Sequence, residues 1–239
     1  MRIIAAWFVL AIVGLGSLAD AGNWGHWRGS TGNGTALEAS PPTEWSSTKN
    51  VKWKIAIPGR GSSSPVIWGD QVFITTAVPS HGKNGEFDFK LLCFDRNDGK
   101  TLWEKTAVTT RPHQGTHNTN GYASASPCTD GQHVYAPFGS RGLFGYTMSG
   151  DLTWKRDDFG KMDIRNNFGE GSSPTIEGNK ILLPWDHQGS SAIYALDKLT
   201  GDTIWKTDRE EPTCWATPLV VDSATNIVAI PTGKTRNGK

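Results

Sequence analysis

Short alternating runs of hydrophobic and polar residues, separated by glycine-containing turns, recur along most of the chain. The clearest example covers residues 193–208, IYALDKLTGDTIWKTD, where an alternating run meets a Thr-Gly-Asp turn and a second run carries a tryptophan. Alternation with a period of two predicts β-strands with one buried face, and a turn between two such runs predicts a hairpin. The pattern therefore predicts an all-β chain.

This hairpin returns at a fixed interval. The pattern G-x-x-x-W occurs as GKTLW, GDLTW and GDTIW, and its glycines, Gly99, Gly150 and Gly201, are 51 residues apart in both intervals. A fourth tryptophan, in VKWKI, lies 50 residues before the tryptophan of GKTLW. Because a large rigid side chain recurs at one place in every unit, we expect it to pack between neighbouring units. The four predicted structural residues are Trp53, Trp103, Trp154 and Trp205.

A second repeated series lies between these hairpins. Its members are SSPVIWGDQVFI, ASPCTDGQHVYA, SSPTIEGNKILL and ATPLVVDSATNIVAI, beginning at residues 63, 125, 172 and 216. Each reads as a strand opened by proline, a polar turn and a second strand, and proline is tolerated at the first residue of a strand. Four strands in a period near 50 residues are typical of a β-propeller blade.

The two series predict about three and a half four-stranded antiparallel blades. In the first blade we expect strands A to D at about Pro65–Trp68, Gln71–Ala77, Phe89–Asp95 and Thr101–Ala107. An incomplete ring predicts a truncated product or gene fragment whose open edges a protein partner or a second copy would cover, with a compact four-blade ring as the alternative. The predicted segments are an N-terminal extended segment over 22–50, a lone strand over about 51–57, blades over about 62–108, 122–158 and 170–208, and a partial blade over about 214–236.

The first 21 residues have the features of a secretory signal. Arg2 precedes an apolar run over residues 3–18, and Ala19-Asp20-Ala21 matches the small-x-small rule for cleavage after Ala21. A membrane anchor is the alternative, but the run is short for a span of about 20 residues. Because no cysteine follows the run, we expect an exported periplasmic or secreted protein that is not lipid-anchored and has no transmembrane segment after cleavage.

The amino-acid composition limits the classes of binding partner and the disulfide bonds to be expected. The 239 residues include 24 basic and 23 acidic side chains, for a net charge of +1, which gives no reason to expect nucleic acid or an anionic membrane as partner. The three cysteines are an odd number without a C-x-x-C pair, so no disulfide framework is indicated. Cys93 lies in an apolar strand pattern and is expected in the core.

Several stretches together resemble the pyrroloquinoline-quinone-like (PQQ-like) repeat β-propellers. They are WGHWRG, PGRGSSSPVIWGDQVFITTA, FGSRGLF, RNNFGEGSSP, WDHQG, ALDKLTGDTIW and EPTCWATPLVV. The N-terminal W-x-x-W-R-G is similar to that of secreted bacterial members often grouped with BamB, the propeller lipoprotein of outer-membrane assembly. The chain departs from the quinone dehydrogenases of this superfamily in lacking adjacent cysteines, and from BamB in lacking a lipid-attachment cysteine.

In a propeller, the D–A and B–C loops share one face around the central channel, and here these loops are long and polar, as binding surfaces often are. Arg141 and Arg165 could bind an anion, while Glu170, Asn167 and Asp186 could supply oxygens to calcium. The alternative is that these groups only hydrogen-bond one another. The candidate ligand-binding residues are His117, Asn118, Arg141, Arg165, Asn167, Glu170, Trp185, Asp186, His187 and Trp215. A zinc site at His113 and His117 is not favoured, because the segment reads as a loop and the four-residue spacing then has no geometric meaning.

No nucleophile, zinc-protease or phosphate-loop motif is present. The first hypothesis is therefore an exported, non-catalytic propeller without a resident cofactor or metal, a scaffold or ligand-binding module linked to envelope assembly. The second is a PQQ- and calcium-dependent dehydrogenase or its remnant. The third is carbohydrate binding, with Trp185 and Trp215 as stacking platforms.

Overall fold

The structure is a computed structural model that describes residues 22–36, 39–81, 84–223 and 226–230. The predicted signal sequence over 1–21 and the end of the predicted partial blade, 231–236, lie outside the described residues. No helix in this described part of the chain is long and apolar enough to cross a membrane.

The strands form three four-stranded antiparallel sheets and one two-stranded sheet, each in chain order, as the repeat predicts. Each four-stranded sheet is one blade with strands A to D. Blade 1 is β1 (Val66–Trp68), β2 (Gln71–Pro79), β3 (Phe87–Asp95) and β4 (Thr101–Thr110); blade 2 is β5 (Cys128–Thr129), β6 (His133–Pro137), β7 (Leu143–Thr147) and β8 (Leu152–Arg156); blade 3 is β9 (Thr175–Glu177), β10 (Lys180–Trp185), β11 (Ser191–Asp197) and β12 (Thr203–Arg209); blade 4 comprises β13 (Leu219–Ser223) and β14 (Asn226–Ile230).

The blades lie side by side, with the first strand of each against the first strand of the next: β1 contacts β5, β5 contacts β9, and β9 contacts β13. The outer strand β4 runs three residues beyond its predicted end at Ala107. The prediction of a strand over residues 51–57 was wrong, because these residues form no strand. A strand needs a paired neighbour, and none lies beside this segment in the described residues.

Tryptophan side chains join neighbouring units. The Trp103 indole N–H donates to the Met148 carbonyl at 3.0 Å, and that of Trp154 donates to the Lys198 carbonyl at 2.9 Å. Trp53 makes the same bond to the Arg96 carbonyl at 2.8 Å. Each ring therefore lies on the C–D turn of the next blade. Trp205 has no described turn beyond it and is 37% exposed.

The strand opposite each tryptophan carries a small residue. Cys93, Gly145 and Ala195 are the partners of Trp103, Trp154 and Trp205, and in each of the three four-stranded blades the register shifts immediately after this partner. A Cβ on Gly145 would lie 2.6 Å from the Trp154 ring. The repeated irregularity is thus a feature of the blade that makes space for the indole.

Hydrophobic clusters fill the spaces between blades. Phe73, Phe89, Cys93 and Val134 belong to one cluster between blades 1 and 2. A second cluster lies between blades 2 and 3 and includes Cys128, Tyr135, Ile181 and Leu196. Cys93 is buried in the core, as predicted.

The N-terminal segment crosses several blades. Trp24 exchanges backbone hydrogen bonds of 2.8 and 2.9 Å with Ile67 of β1, and the Gly25 carbonyl accepts the Thr129 N–H of β5 at 2.7 Å. A Cβ on Gly32 would lie 2.7 Å from Leu219 of β13. The segment thus touches blades 1, 2 and 4 at their innermost strands.

Candidate functional site

The three D–A loops, over residues 111–127, 157–174 and 210–218, lie against one another. His113 Nε2 is 2.8 Å from the Met162 carbonyl, and the Arg165 N–H donates to Thr213 Oγ1 at 2.9 Å. We call this surface, with the B–C loops beside it, the channel face.

Arg141 and Glu170 form a buried ion pair on the channel face. Their side chains are 6% and 10% exposed, and Arg141 Nη1 donates to Glu170 Oε2. The same carboxylate accepts the Ser140 N–H at 3.0 Å and the Ser140 hydroxyl. Gly139 makes the approach possible, because a Cβ there would lie 1.9 Å from Glu170 Oε2. Both oxygens of Glu170 are therefore already occupied.

The Arg141 guanidinium is also flanked by two aromatic rings. Its central carbon lies 5.3 Å from the Phe89 centroid and 5.6 Å from the Tyr122 centroid, within the range of cation–π contacts. Its Nε is buried without a hydrogen-bond partner among the described residues. The side chain is thus held by Glu170 and the rings, whereas Arg165, with which it was expected to bind an anion, is exposed.

Asp186 and His187 also form hydrogen bonds with other residues of the protein. Asp186, 2% exposed, accepts Arg209 Nε at 2.9 Å and Nη2 at 3.3 Å. Burial raises the pKa of its carboxyl, and the Arg209 charge only partly offsets this. His187 Nδ1 accepts the N–H groups of Asp163 and Gly189, both at 3.1 Å.

Trp185 is not available for stacking on a ligand. It is 3% exposed and packs on Phe159, with the ring centroids 5.2 Å apart. Burial of this ring removes one of the two platforms expected for a carbohydrate, and only Trp215 stays exposed, at 43%.

The remaining candidates lie on exposed loops. Asn167 follows Asn166 in a short 3-10 turn over Arg165–Asn167, and both asparagines have a φ of 53°. His117 Nδ1 is 2.8 Å from Thr119 Oγ1. The Asn118 carbonyl accepts a hydrogen bond from Arg60, which precedes β1.

The proposed calcium donors do not fit a calcium ion. Glu170 accepts three hydrogen bonds, Asp186 is paired with Arg209, and Asn167 lies on an exposed turn. In the described part of the chain, no group of three or more His, Cys, Asp or Glu side chains is placed to hold a metal ion. The channel face therefore presents paired ions rather than a convergent set of free ligands.

Sequence reasoning missed a series of hydroxyl groups at the start of the innermost strands. The Ser64 N–H donates to Ser126 Oγ at 2.9 Å, and the Ser126 N–H donates to Ser173 Oγ at 2.9 Å. The Ser173 N–H donates to Thr217 Oγ1 at 3.3 Å. We call these four residues the hydroxyl series. The signal was present in the sequence, because a Ser or Thr precedes the strand-opening proline in all four repeats.

Four-stranded blades joined by a tryptophan that lies on the next C–D turn define the class of protein: a β-propeller built from PQQ-like repeats. A family model described as outer membrane protein assembly factor BamB matches residues 17–183, which is more than half of the chain. The chain belongs to this family.

Solved structures with a similar fold include a BamB protein and two alcohol dehydrogenases. BamB from Moraxella catarrhalis is 20% identical, with a TM-score of 0.37, over 68% of this chain and 40% of that one. A europium-containing methanol dehydrogenase is 14% identical, with a TM-score of 0.45, over 64% of this chain and 26% of that one. The quinohemoprotein alcohol dehydrogenase from Comamonas testosteroni is 14% identical, with a TM-score of 0.43, over 63% of this chain and 21% of that one. The chain spans less than half the length of these proteins, and comparison with curated proteins gave no significant match.

Proposed function

We propose that the chain is an exported, non-catalytic propeller that acts as a binding scaffold through its channel face. The observation that carries the proposal is the pairing of the channel-face ions: Arg141 with Glu170, and Asp186 with Arg209. A general acid or base must reach the proton that it transfers, and carboxylates engaged in this way are held away from a substrate. A rigid polar surface is instead suited to positioning a partner.

The partner that we propose is another envelope protein or a second copy of the chain. Two observations support this: the family to which the chain belongs is described by its role in outer-membrane assembly, and the N-terminal sequence has the features of a secretory signal. The net charge of +1 favours a partner recognised by shape and hydrogen bonds rather than by opposite charge.

Site-specific photo-crosslinking tests the scaffold role directly. A photo-reactive phenylalanine analogue is introduced at Asn118 or Arg165 on the channel face, and at Lys100 or Asp202 in the C–D turns as matched controls, since all four are exposed. We expect discrete protein adducts from the channel-face positions in the exported chain. Adducts only from the C–D turns, or from no position, would contradict the proposal.

A titration with PQQ tests the dehydrogenase alternative. Tryptophan emission is followed with and without calcium in the wild-type chain, in Glu170→Gln and in the control Glu44→Gln, whose side chain is 74% exposed. We expect no saturable calcium-dependent quenching. Micromolar, calcium-dependent quenching that is lost in Glu170→Gln and kept in Glu44→Gln would overturn the non-catalytic assignment, provided both variants retain the wild-type far-UV circular dichroism spectrum.

A further inference from the structure

Three exposed rings on the channel face lie in contact, and we propose that they form a binding site for a neutral carbohydrate. The rings are those of His117, Phe168 and Trp215, which we call the aromatic shelf. The inference rests on the proposed function, because it takes the channel face as a binding surface and names a ligand class for it.

Each of the three D–A loops supplies one ring of the shelf. The Phe168 and Trp215 centroids are 6.2 Å apart at an interplanar angle of 50°, and the His117 and Phe168 centroids are 5.6 Å apart at 76°. Phe168 is 39% exposed and Trp215 is 43% exposed. The rings are therefore neighbours, and part of each large ring is open to solvent, where it costs free energy unless a ligand covers it.

Hydrogen bonds hold the shelf in place although it is exposed. The Trp215 indole N–H donates to the Gly169 carbonyl at 2.8 Å, and Asn120 Nδ2 donates to the Phe168 carbonyl at 2.8 Å. A Cβ on Gly169, whose φ is +90°, would lie 2.3 Å from Thr116 Oγ1, so the backbone packs tightly beneath the rings. Rings fixed in this way lose little freedom when a ligand binds.

The turn that leads into Phe168 has an unusual backbone. Asn166 and Asn167 both have a φ of 53°, in the left-handed region that asparagine adopts more readily than other residues with a side chain. The two consecutive left-handed residues lie immediately before the central ring of the shelf. Backbone of this kind is concentrated at ligand-binding positions.

The polar groups around the shelf select the class of ligand. An open depression of about 580 Å³ is lined by His117, Thr119, Asn120, Phe168 and Trp215, without a Lys, Arg, Asp or Glu. Aromatic faces suit the C–H surface of a sugar ring, while imidazole, hydroxyl and amide groups can exchange hydrogen bonds with its hydroxyls. An anionic glycan would require Arg or Lys, and a hydrophobic peptide anchor would require a deep pocket. The lining therefore matches a neutral carbohydrate.

Affinity electrophoresis of the whole chain tests the inference. Native gels are cast with a soluble β-glucan, an α-glucan or a mannan, and with polygalacturonate as the anionic counterpart. We expect at least one neutral polysaccharide to retard the wild-type chain, Trp215→Ala to weaken the interaction by about tenfold, and Trp215→Phe to restore part of it. Trp45→Ala is the matched control, because Trp45 is 73% exposed and lies outside the shelf.

Saturation-transfer NMR with oligosaccharides of the retarding polysaccharide provides a readout that does not depend on a variant. Transfer to the C–H protons of the sugar ring is expected in the wild-type chain. Retardation by no neutral polysaccharide, by polygalacturonate alone, or with an equal loss in Trp45→Ala would overturn the inference. If protein adducts form at the channel face while no glycan binds, the scaffold proposal stands and the carbohydrate inference fails. If a glycan binds and PQQ also quenches the tryptophan emission, the carbohydrate inference stands and the non-catalytic scaffold proposal fails.

Discussion

At the scale of single residues, the contact of a tryptophan with a glycine joins each blade to the next. Trp154 lies on Gly201, where a Cβ would come within 2.7 Å of the ring. The glycine is needed for two separate reasons, since its φ of 77° also lies in the left-handed region. The two effects can be separated, because the chain contains other glycines with a similar φ in open surroundings.

Replacing Gly201 by alanine should therefore destabilise the chain by more than its backbone conformation explains. The conformation costs about 1–2 kcal/mol, and the clash with the indole adds about 1–3 kcal/mol. Gly160→Ala is the matched control, because Gly160 has a φ of 89° and no atom within 4 Å of its Cβ position. Chemical denaturation of both variants measures the difference, and an equal loss of unfolding free energy in the two would refute the contribution of the indole contact.

At the scale of the elements, hydrogen bonds and an ion pair join the blades. The hydroxyl series joins the starts of the innermost strands, and Lys198 of blade 3 lies 2.8 Å from Asp130 of blade 2, with side chains 20% and 15% exposed. Buried and half-buried groups of this kind contribute because the loss of one partner leaves the other without its hydrogen bond.

Ser126→Ala should lower the unfolding free energy by about 1–3 kcal/mol. Ser126 is 2% exposed, and its hydroxyl oxygen accepts the Ser64 N–H, which the variant leaves without that acceptor. Ser126→Thr keeps the oxygen, as Thr217 does in the fourth repeat, and should lose less stability. Thermal and chemical denaturation measure both variants. If the threonine variant were less stable than the alanine variant, the hydrogen bond would not be the cause.

The ion pair between Asp130 and Lys198 should make stability depend on pH. Burial raises the pKa of the Asp130 carboxyl, but the Lys198 ammonium and the N–H groups of His133 and Gln132 outweigh this, so the pKa is lowered. A lowered carboxyl pKa means that its contribution is present above the unfolded-state value of about 3.9 and is lost as the pH falls through the folded-state value. Asp130→Asn should therefore cost about 1–3 kcal/mol at neutral pH and progressively less below about pH 4.

Denaturation from pH 3 to 8 tests this expectation. Asp157→Asn is the control, because its pair with Lys155 is exposed, and its effect should be close to zero at every pH. A difference between wild type and Asp130→Asn that stays constant across this range would contradict the assigned role.

The strands of the first blade could be predicted from the sequence, whereas the segment before them could not. Strand positions in the first blade follow from alternation and turn glycines, which are local signals, and they agree with the structure to within a few residues. The strand expected over 51–57 does not form, because pairing depends on a neighbour rather than on local pattern. The hydroxyl series could have been predicted from the residue before each proline. It was missed because the proline by itself already explained why each of those strands begins where it does.

The candidate site was harder to predict, because its chemistry depends on pairings between distant loops. Arg141 meets Glu170 across 29 positions of sequence, and Asp186 meets Arg209 across 23. Sequence reasoning named Arg141, Glu170 and Asp186 as candidate ligand-binding residues, but it could not show that these charges and Arg209 neutralise one another. Phe168 was missed because nothing local distinguishes an exposed aromatic from a buried one.

At the scale of the whole molecule, contacts between neighbouring blades alone would make stability a sum of local terms, as in other repeat proteins. The N-terminal segment adds contacts of another kind, because it touches the innermost strands of blades 1, 2 and 4. It thus links blades that are not all neighbours, and its loss should loosen several of them together.

Gly25→Ala tests this coupling. A Cβ on Gly25 would lie 2.6 Å from the Thr129 carbonyl, so the segment must move away from β5, at a cost of about 1–3 kcal/mol. Gly22→Ala is the control, because no atom lies within 4 Å of its Cβ position. Hydrogen exchange should then be faster at the Thr129 and Ile67 amides, which donate to Gly25 and Trp24. Faster exchange at Thr129 alone would show that the segment contacts each blade independently, whereas faster exchange at both amides, in Gly25→Ala but not in Gly22→Ala, would show that it couples the blades.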